Sequence, residues 1–280
     1  MAESHFLPAD VIARIRQDPE ARRAFWKHSY DQSAQSQSDF VFMNLGYADQ
    51  AVSPEALESF DVEACSKNLY RHIVGDIAMA EKRVLEIGCG RGGGARFIME
   101  TYGPASVVAV DISAAGIMRC RQSHHVKGLS FLVGDAEALP FGDGMFDRVV
   151  NVESSHCYGS RQTFLSEVHR VLTPGGLFLF ADVFIPSLDS VDMEQMRGLL
   201  ERAGFQIGTE RDLTTQTLHA RDLVSQHPVV REALANISTE TRRALQEAFF
   251  LQDSQGYRGL QARTTRCGFW LLQRQLTASQ

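Results

Sequence analysis

One stretch restricts the possible folds of this chain more than any other: residues 84–94 read Val-Leu-Glu-Ile-Gly-Cys-Gly-Arg-Gly-Gly-Gly. An apolar run, residues 83–87, leads into the glycines, and an amphipathic stretch, residues 95–102, follows them. This order predicts a buried strand, a glycine turn and a helix. Glycine adopts positive φ readily and lets a ligand approach the backbone, and a helix start offers free N–H groups. We therefore expect a ligand site here, although dinucleotide-binding proteins use such turns too.

The predicted second strand ends in an acid that extends the same site. Residues 106–111 are apolar until Asp111, which lies roughly 20 residues beyond Gly90, where an acid can accept hydrogen bonds from both ribose hydroxyls. The alternative is a helix-capping aspartate, but Ser113 is already placed to cap the following helix. The sequence therefore favours ribose binding by Asp111.

The loop after the predicted fourth strand, residues 153–158, carries a candidate base. In open α/β sheets ligands bind outside the carboxyl ends of the strands, where this loop lies. His156 titrates in a range suited to taking a proton from a hydroxyl. Asp182 ends the predicted fifth strand, residues 177–182, so its carboxylate can orient His156 and stabilise its protonated form. The alternative is a loop histidine with no chemical role.

The spacing Glu86-x-Gly88-x-Gly90-x-Gly92, with the acid inside the strand, resembles the first motif of class I S-adenosylmethionine (SAM)-dependent methyltransferases. In that family the glycines cradle the methionine part of the cofactor. The resemblance therefore implies S-adenosyl-L-methionine as cofactor and S-adenosyl-L-homocysteine as product. Residues 134–137, Gly-Asp-Ala-Glu, resemble the family's adenine-binding turn. The cofactor-binding residues implied are Glu86, Gly88, Cys89, Gly90, Asp111, Ile112, Asp135, Ala136 and Asn151.

Longer runs resemble a narrower group. Residues 42–44, 151–158 and 164–176 look like the phthiotriolone and phenolphthiotriolone dimycocerosate O-methyltransferases. The chain is also similar to sugar O-methyltransferases, in which a histidine after strand four and an acid ending strand five deprotonate the acceptor hydroxyl. His156 and Asp182 occupy those positions, so they are the implied catalytic residues. The implied reaction is methyl transfer to a hydroxyl of a bulky, largely apolar polyketide, lipid or glycoside in secondary metabolism.

The apolar, aromatic segment Phe40–Tyr47 is either a piece of core packing or a lid over cofactor and substrate, which would exclude water. The residues expected to contact the substrate are Tyr30, Tyr47, Glu153 and Tyr158. Three other functions stay open. Aromatic and carboxylate side chains also suit C-methylation of a prenyl chain or aromatic carbon, and some proteins of the resembled fold are SAM-binding cyclases. The third alternative, a nicotinamide-dependent oxidoreductase, is disfavoured because its glycine turn usually has the spacing Gly-x-Gly-x-x-Gly.

The predicted fold is α/β, a Rossmann-like seven-stranded methyltransferase sheet in one domain. An N-terminal helical lid (1–80) precedes the SAM-binding core (81–213), and a helical insert (214–258) separates strand six from the last strand and tail (259–280). Finer predictions are helical structure over 8–30 with a helix start at Asp18-Pro19-Glu20, a loop over 31–39, helices over 53–64 and 67–79, a turn over 173–176 and a helix break at His227-Pro228. Asp147, Phe249 and Phe250 are expected to be structural, and His124-His125 solvated surface.

Composition limits the partners. A net charge of −6 and a sequence pI of about 5.9, without an evident basic face, argue against nucleic acid. The five cysteines lack zinc-ligand spacing, and neither a signal pattern nor an apolar run of membrane-span length is evident, so we expect a cytoplasmic protein with reduced thiols. Only Asp182 is obviously available to hold magnesium, so no metal is expected. A homo-oligomer through the N-terminal segment is possible.

Overall fold

The computed structural model describes residues 7–35, 40–50, 60–189 and 191–275. In that part of the chain seven strands form a single sheet. The strands are β1 (Arg83–Ile87), β2 (Ser106–Asp111), β3 (Leu129–Val133), β4 (Phe146–Val152), β5 (Leu172–Phe184), β6 (Phe205–Asp212) and β7 (Arg266–Arg274). Their order is β3-β2-β1-β4-β5-β7-β6, with β7 antiparallel to both of its neighbours. The predicted α/β class and seven-stranded sheet are confirmed.

The parallel half of the sheet places the site. Strands β1, β2 and β4 are neighbours and run in the same direction, so their carboxyl ends meet at one edge. Most of their side chains are apolar on both faces because helices cover both sides, and the buried polar exceptions are Glu86, Asp111 and Asn151. The largest buried ring, Trp270 on β7, stacks on Phe180 of β5 at 5.5 Å and fixes the antiparallel end. The sheet edge is thereby a rigid platform for polar side chains.

Helices flank this sheet and extend beyond it. They are α1 (Ala9–Gln17), α2 (Pro19–Ala34), α3 (Ala64–Val74), α4 (Gly93–Tyr102), α5 (Ala114–Ser123), α6 (Arg161–Val171), α7 (Met193–Arg202), α8 (Thr214–Gln226), α9 (Pro228–Ala235), α10 (Thr239–Ala248) and α11 (Gln255–Gln261). Helices α8–α11 lie between β6 and β7, and the predicted break at His227-Pro228 separates α8 from α9. This helical segment runs three residues beyond the predicted boundary at 258.

One N-terminal prediction is wrong and another is confirmed. The loop predicted from residue 31 is wrong at its start, because α2 continues to Ala34. Asp31 lies 2.7 Å from Lys27 Nζ and accepts a hydrogen bond from Ser113 Oγ at 2.6 Å, which holds the last turn of α2 against the start of α5. The helix start predicted at Asp18-Pro19-Glu20 is confirmed, because α1 ends at Gln17 and the Asp18 side chain caps α2. The helix predicted from residue 53 lies largely outside the described residues.

Three further predictions are wrong in detail. The helix predicted over 67–79 begins at Ala64 and ends at Val74, because Gly75 has a φ of 51° and leaves the helical conformation. The turn predicted over 173–176 belongs to β5, which pairs Leu172 with Phe146 before an irregularity in the ladder. His124 is not solvated: it is 6% exposed, and its Nε2 lies 2.8 Å from the Arg91 carbonyl oxygen, so it supports the glycine turn. His125 is exposed as expected.

Candidate active site

A cavity lies at the carboxyl ends of β1, β2 and β4. Its walls come from the glycine turn, the end of β2, residues 134–137, the loop after β4, helix α2 and residues 41–44. Ten of the predicted site residues line it: Tyr30, Gly88, Cys89, Gly90, Asp111, Ile112, Asp135, Ala136, Glu153 and Tyr158. Five others do not: Tyr47, Glu86, Asn151, His156 and Asp182. The fold therefore places ten of the predicted residues around this cavity and the other five outside its lining.

The glycine turn forms the floor of the cavity. Gly88 and Gly90 have φ values of 71° and 53°, which glycine adopts at no steric cost. A β-carbon at Gly88 would come within 2.7 Å of the Tyr158 hydroxyl. A glycine at 88 is thus required both by backbone conformation and by the close approach of Tyr158.

Asp111 joins the glycine turn to the end of β2. Its Oδ2 accepts a hydrogen bond from the Gly90 N–H and its Oδ1 one from the Ser113 N–H, both at 2.9 Å. Burial raises the pKa of Asp111 although these donors act in the opposite direction. Ser113 caps α5 by accepting a hydrogen bond from the Gly116 N–H, as predicted, so Asp111 is not the residue that caps this helix. Its carboxylate faces the cavity with lone pairs to spare.

Glu86 and Asn151 lie one layer behind the cavity. Tyr70 donates a hydrogen bond of 2.7 Å to Glu86 Oε1, and burial raises the pKa of Glu86 to about 7. The Asn151 amide donates to the Ile87 carbonyl at 2.9 Å and to the Tyr158 hydroxyl at 3.0 Å. Both side chains position residues that do line the cavity, namely Tyr70 and Tyr158.

Helix α2 covers the cavity from the side away from the sheet. Arg23, Trp26, Lys27 and Tyr30 line it, and Arg23 forms an ion pair with Asp135, the predicted adenine-amino acceptor. Sequence reasoning missed Arg23 and Trp26. Their spacing with Tyr30 puts all three on one helical face, and this periodicity is the signal by which they could be found.

The partly buried His156 and the buried Asp182 form a pair beside the cavity. His156 Nδ1 lies 2.7 Å from Asp182 Oδ1, and the ring edge of His156 meets Trp26 at a centroid distance of 6.0 Å. Asp182 is 1% exposed. Burial acts to raise its pKa, but the charge and hydrogen bond of His156 outweigh burial and lower it. Burial acts to lower the pKa of His156, but Cys157 and Asp182 raise it well above the ordinary value.

Two residues expected to contact substrate differ in position. Glu153 faces the cavity with a φ of 49°, accepts a 2.6 Å hydrogen bond from the Leu45 N–H, and has its pKa raised by burial to about 7. Tyr47 instead stacks on His72 at 4.2 Å and donates to Asp49 at 2.5 Å, so its ring is held apart from the cavity walls. The aromatic character of segment 40–47 did not reveal which way this ring points.

Asn44 was not predicted as a site residue. It lines the cavity, and its amide nitrogen lies 3.5 Å from the Ser66 carbonyl oxygen, while its Oδ1 is buried without a hydrogen-bond partner. A buried acceptor without a partner costs free energy, which a donor on a bound ligand would offset. No group of three or more His, Cys, Asp or Glu side chains suited to a metal ion occurs among the described residues. A metal-free reaction stays a prediction.

Comparisons with known proteins show the family of this chain. The family model described as "Methyltransferase domain" matches residues 85–180. "Probable phthiotriol/phenolphthiotriol dimycocerosates methyltransferase 2" of Mycobacterium ulcerans is 39% identical over 204 residues, covering 72% of this chain and 78% of that protein. "Fatty-acid O-methyltransferase" of Mycolicibacterium smegmatis is 43% identical over 185 residues, 66% of each chain.

The fold is also similar to that of solved structures. The [4+2]-cyclase SpnF superposes with a TM-score of 0.71 at 16% identity, covering 94% of this chain and 98% of that one. Likeness at this identity concerns the fold alone. Within the described residues, no helix has both the length and the apolar character needed to cross a membrane.

Proposed function

This chain belongs to the class I SAM-dependent methyltransferases, and on that premise we propose that it methylates a hydroxyl of a bulky, largely apolar, lipid-like molecule with His156 as general base. The observation that carries the proposal is the pair of the partly buried His156 and the buried Asp182, with 2.7 Å between Nδ1 and Oδ1, beside the cavity. Tyr30 and Trp26 at that edge provide apolar surface beside it.

The cavity residues fit the cofactor. The turn has glycine at positions 88 and 90, where the backbone must be approached, and the Asn44 oxygen is a buried acceptor without a partner. We propose that the turn and Asn44 hold the methionine part, that Asp111 binds the ribose, and that Ile112 and Ala136 adjoin the adenine. Asp135 would share its carboxylate between Arg23 and the adenine amino group. When bound, SAM supplies a methyl group already activated on a sulfonium.

The protein then has two tasks, alignment and proton removal. Asp182 accepts the Nδ1–H of His156, so Nε2 is the nitrogen that takes the acceptor's proton. It does so from the neutral ring, and because the pKa of His156 is raised, turnover should increase with pH. Asp182 also stabilises the imidazolium that forms, because it is a buried carboxylate in direct contact with the ring. Helix α2 and residues 41–44 cover the cavity and exclude water. A general base of this kind contributes ~10²–10⁴-fold to the rate.

The acceptor class is proposed from the relatives and from the cavity lining. The relatives are named for a fatty acid and for dimycocerosates. Trp26, Phe42 and Met43 give this cavity large apolar surfaces suited to such molecules. A carboxylic acid is already ionised near neutral pH and needs no base. A requirement for His156 therefore points to a hydroxyl acceptor.

The test is transfer of isotope-labelled methyl from SAM to a panel of hydroxylated lipids, fatty acids, polyketides, phenols and prenyl diphosphates, read by mass spectrometry. We expect label on a hydroxyl oxygen with wild type and with His125→Ala, an exposed control, and its loss with His156→Ala. Label on a carbon would contradict the proposal and favour prenyl or aromatic C-methylation. Label on a carboxylate, retained in His156→Ala, would remove the general base.

A further inference from the structure

Four charged side chains form a buried array behind the cavity, and the reaction described above uses only one of them. Arg22, Arg161, Asp182 and Asp189 are 8%, 7%, 1% and 5% exposed. They come from α2, α6, β5 and the segment after β5. Two positive and two negative charges balance before His156 is counted. Buried charges are costly unless they are paired, so the array fixes the relative positions of these four elements.

Arg161 is at the centre of the array. Its Nη1 forms an ion pair with Asp189, whose Oδ2 also lies 3.3 Å from Arg22 Nη1. On the other side, Arg161 Nη2 lies 3.7 Å from Asp182 Oδ2, an ion-pair distance longer than a hydrogen bond. Arg161 Nε donates to Ser155 Oγ at 3.1 Å, and Ser155 Oγ donates in turn to Asp182 Oδ2. Arg161 thus contacts Oδ2 of the Asp182 carboxylate, while His156 contacts Oδ1 of the same carboxylate.

We propose that Arg161 is a positioning residue that shares the Asp182 carboxylate with His156 and thereby sets how strongly His156 holds its proton. Its importance for catalysis rests on the proposed role of His156 as base. Asp189 in turn shares Arg161 with Asp182, so the two carboxylates compete for one guanidinium. Arg22 of α2 also contacts Asp189, so the array is linked to the helix that carries the cavity residues Trp26 and Tyr30.

The signs follow from the charges that surround His156. Asp182 from β5 and Cys157 from the same turn contact it, and Glu153 lies close enough for its charge to matter. The Tyr30 hydroxyl, on α2, lies 3.8 Å from Sγ of Cys157, the residue that contacts His156. Without the Arg161 charge, His156 would be the remaining cationic partner of Asp182 and would hold its proton more strongly. Without the Asp189 charge, Arg161 would bind Asp182 more strongly, and His156 would release its proton more easily.

The test is a titration of His156 by NMR in full-length protein labelled with ¹³C at histidine Cε1. The chain has nine histidines, and His156→Gln identifies the resonance by its disappearance. We expect Arg161→Met to raise the His156 pKa by roughly 1 unit, the lower end of what one nearby charge produces. Asp189→Asn should lower it. Arg161→Lys keeps the charge and should return it close to wild type.

Arg170→Met is the matched control, because Arg170 lies on the same helix and pairs with Glu167 and Asp143 away from His156. It should leave the titration unchanged. Thermal denaturation shows which variants fold, and if Arg161→Met does not fold, Asp189→Asn carries the test alone. A folded Arg161→Met or Asp189→Asn protein with an unmoved His156 pKa would overturn the inference. Normal turnover in His156→Ala would instead refute the general base while leaving these titrations interpretable.

Discussion

Asp111 and Asp182 occupy similar backbone positions, near the carboxyl ends of two strands of one sheet, yet their surroundings differ. Asp111 accepts hydrogen bonds from two neutral backbone donors, Gly90 and Ser113, and burial raises its pKa. Asp182 faces the ionisable His156 and the guanidinium of Arg161, and its pKa is lowered. The position at a strand end places each carboxylate at the edge of the sheet where the cavity lies. The side chains and N–H groups that surround each carboxylate then determine whether it is suited to ligand binding or to proton transfer.

The largest expected effect separates the two acids by turnover. Asp182→Asn keeps the size of the side chain but removes the charge that stabilises protonated His156. We expect turnover at saturating SAM to fall by ~10²–10⁴-fold, the contribution of a general base. Calorimetry should show SAM affinity close to wild type. Turnover within a few-fold of wild type would mean that Asp182 is a structural acid.

The second effect is weaker SAM binding, with a smaller loss of turnover, when Asp111 is substituted. Asp111→Ala removes the proposed acceptor for the ribose hydroxyls and the hydrogen bonds from the Gly90 and Ser113 N–H groups. Hydrogen bonds to a charged group contribute ~1.5–3 kcal/mol, so SAM affinity should weaken by about 10- to 100-fold. Turnover at saturating SAM should fall much less than in Asp182→Asn. Equal SAM affinity in calorimetry would contradict the ribose assignment.

A smaller effect concerns the dependence of stability on pH. The folded-state pKa of His156 is raised, so its contribution to the free energy of unfolding is present below the unfolded value, ~6.5, and is lost as pH rises through the folded value. The pKa of Asp182 is lowered, so its contribution is present above ~3.9 and is lost as pH falls through the folded value. Denaturant unfolding from pH 6 to 9 should show stability declining less steeply in His156→Ala than in wild type. Identical slopes would mean that His156 does not carry this linkage.

The smallest effect concerns the wall of the cofactor cavity. Tyr70→Phe removes the 2.7 Å hydrogen bond to Glu86 while keeping the ring. We expect a loss of about 0.5–1.5 kcal/mol in the free energy of unfolding and a slight weakening of SAM binding. Tyr102→Phe, on a half-buried ring outside the cavity lining, is the control. A large loss of turnover in Tyr70→Phe would place Tyr70 in the chemistry.

The sequence predicted the parts of the site that local patterns determine. Glycine spacing identified the turn at Gly88–Gly90, and acids at strand ends identified Asp111 and Asp182, because parallel strands bring their carboxyl ends to one edge. The contact between His156 and Asp182 followed from that rule and is present at 2.7 Å. Their roles in catalysis stay predictions.

The rest depends on packing between segments that are distant in the chain. Arg22, Arg161 and Asp189 meet across 167 and 28 positions of sequence separation, and no periodicity in the sequence links them. The burial of His124 depends on how the end of α5 packs against the glycine turn. The orientation of Tyr47 was missed because an aromatic segment does not show which ring faces the cavity.

The most direct measurement of the central claim is the single-turnover rate of methyl transfer to a hydroxylated acceptor, with SAM saturating, in wild type, His156→Ala and the control His125→Ala. The account predicts that His156→Ala transfers methyl ~10²–10⁴-fold more slowly while binding SAM normally, and that His125→Ala matches wild type. A His156→Ala rate within a few-fold of wild type would contradict the general-base role and leave the His156–Asp182 pair with a structural one.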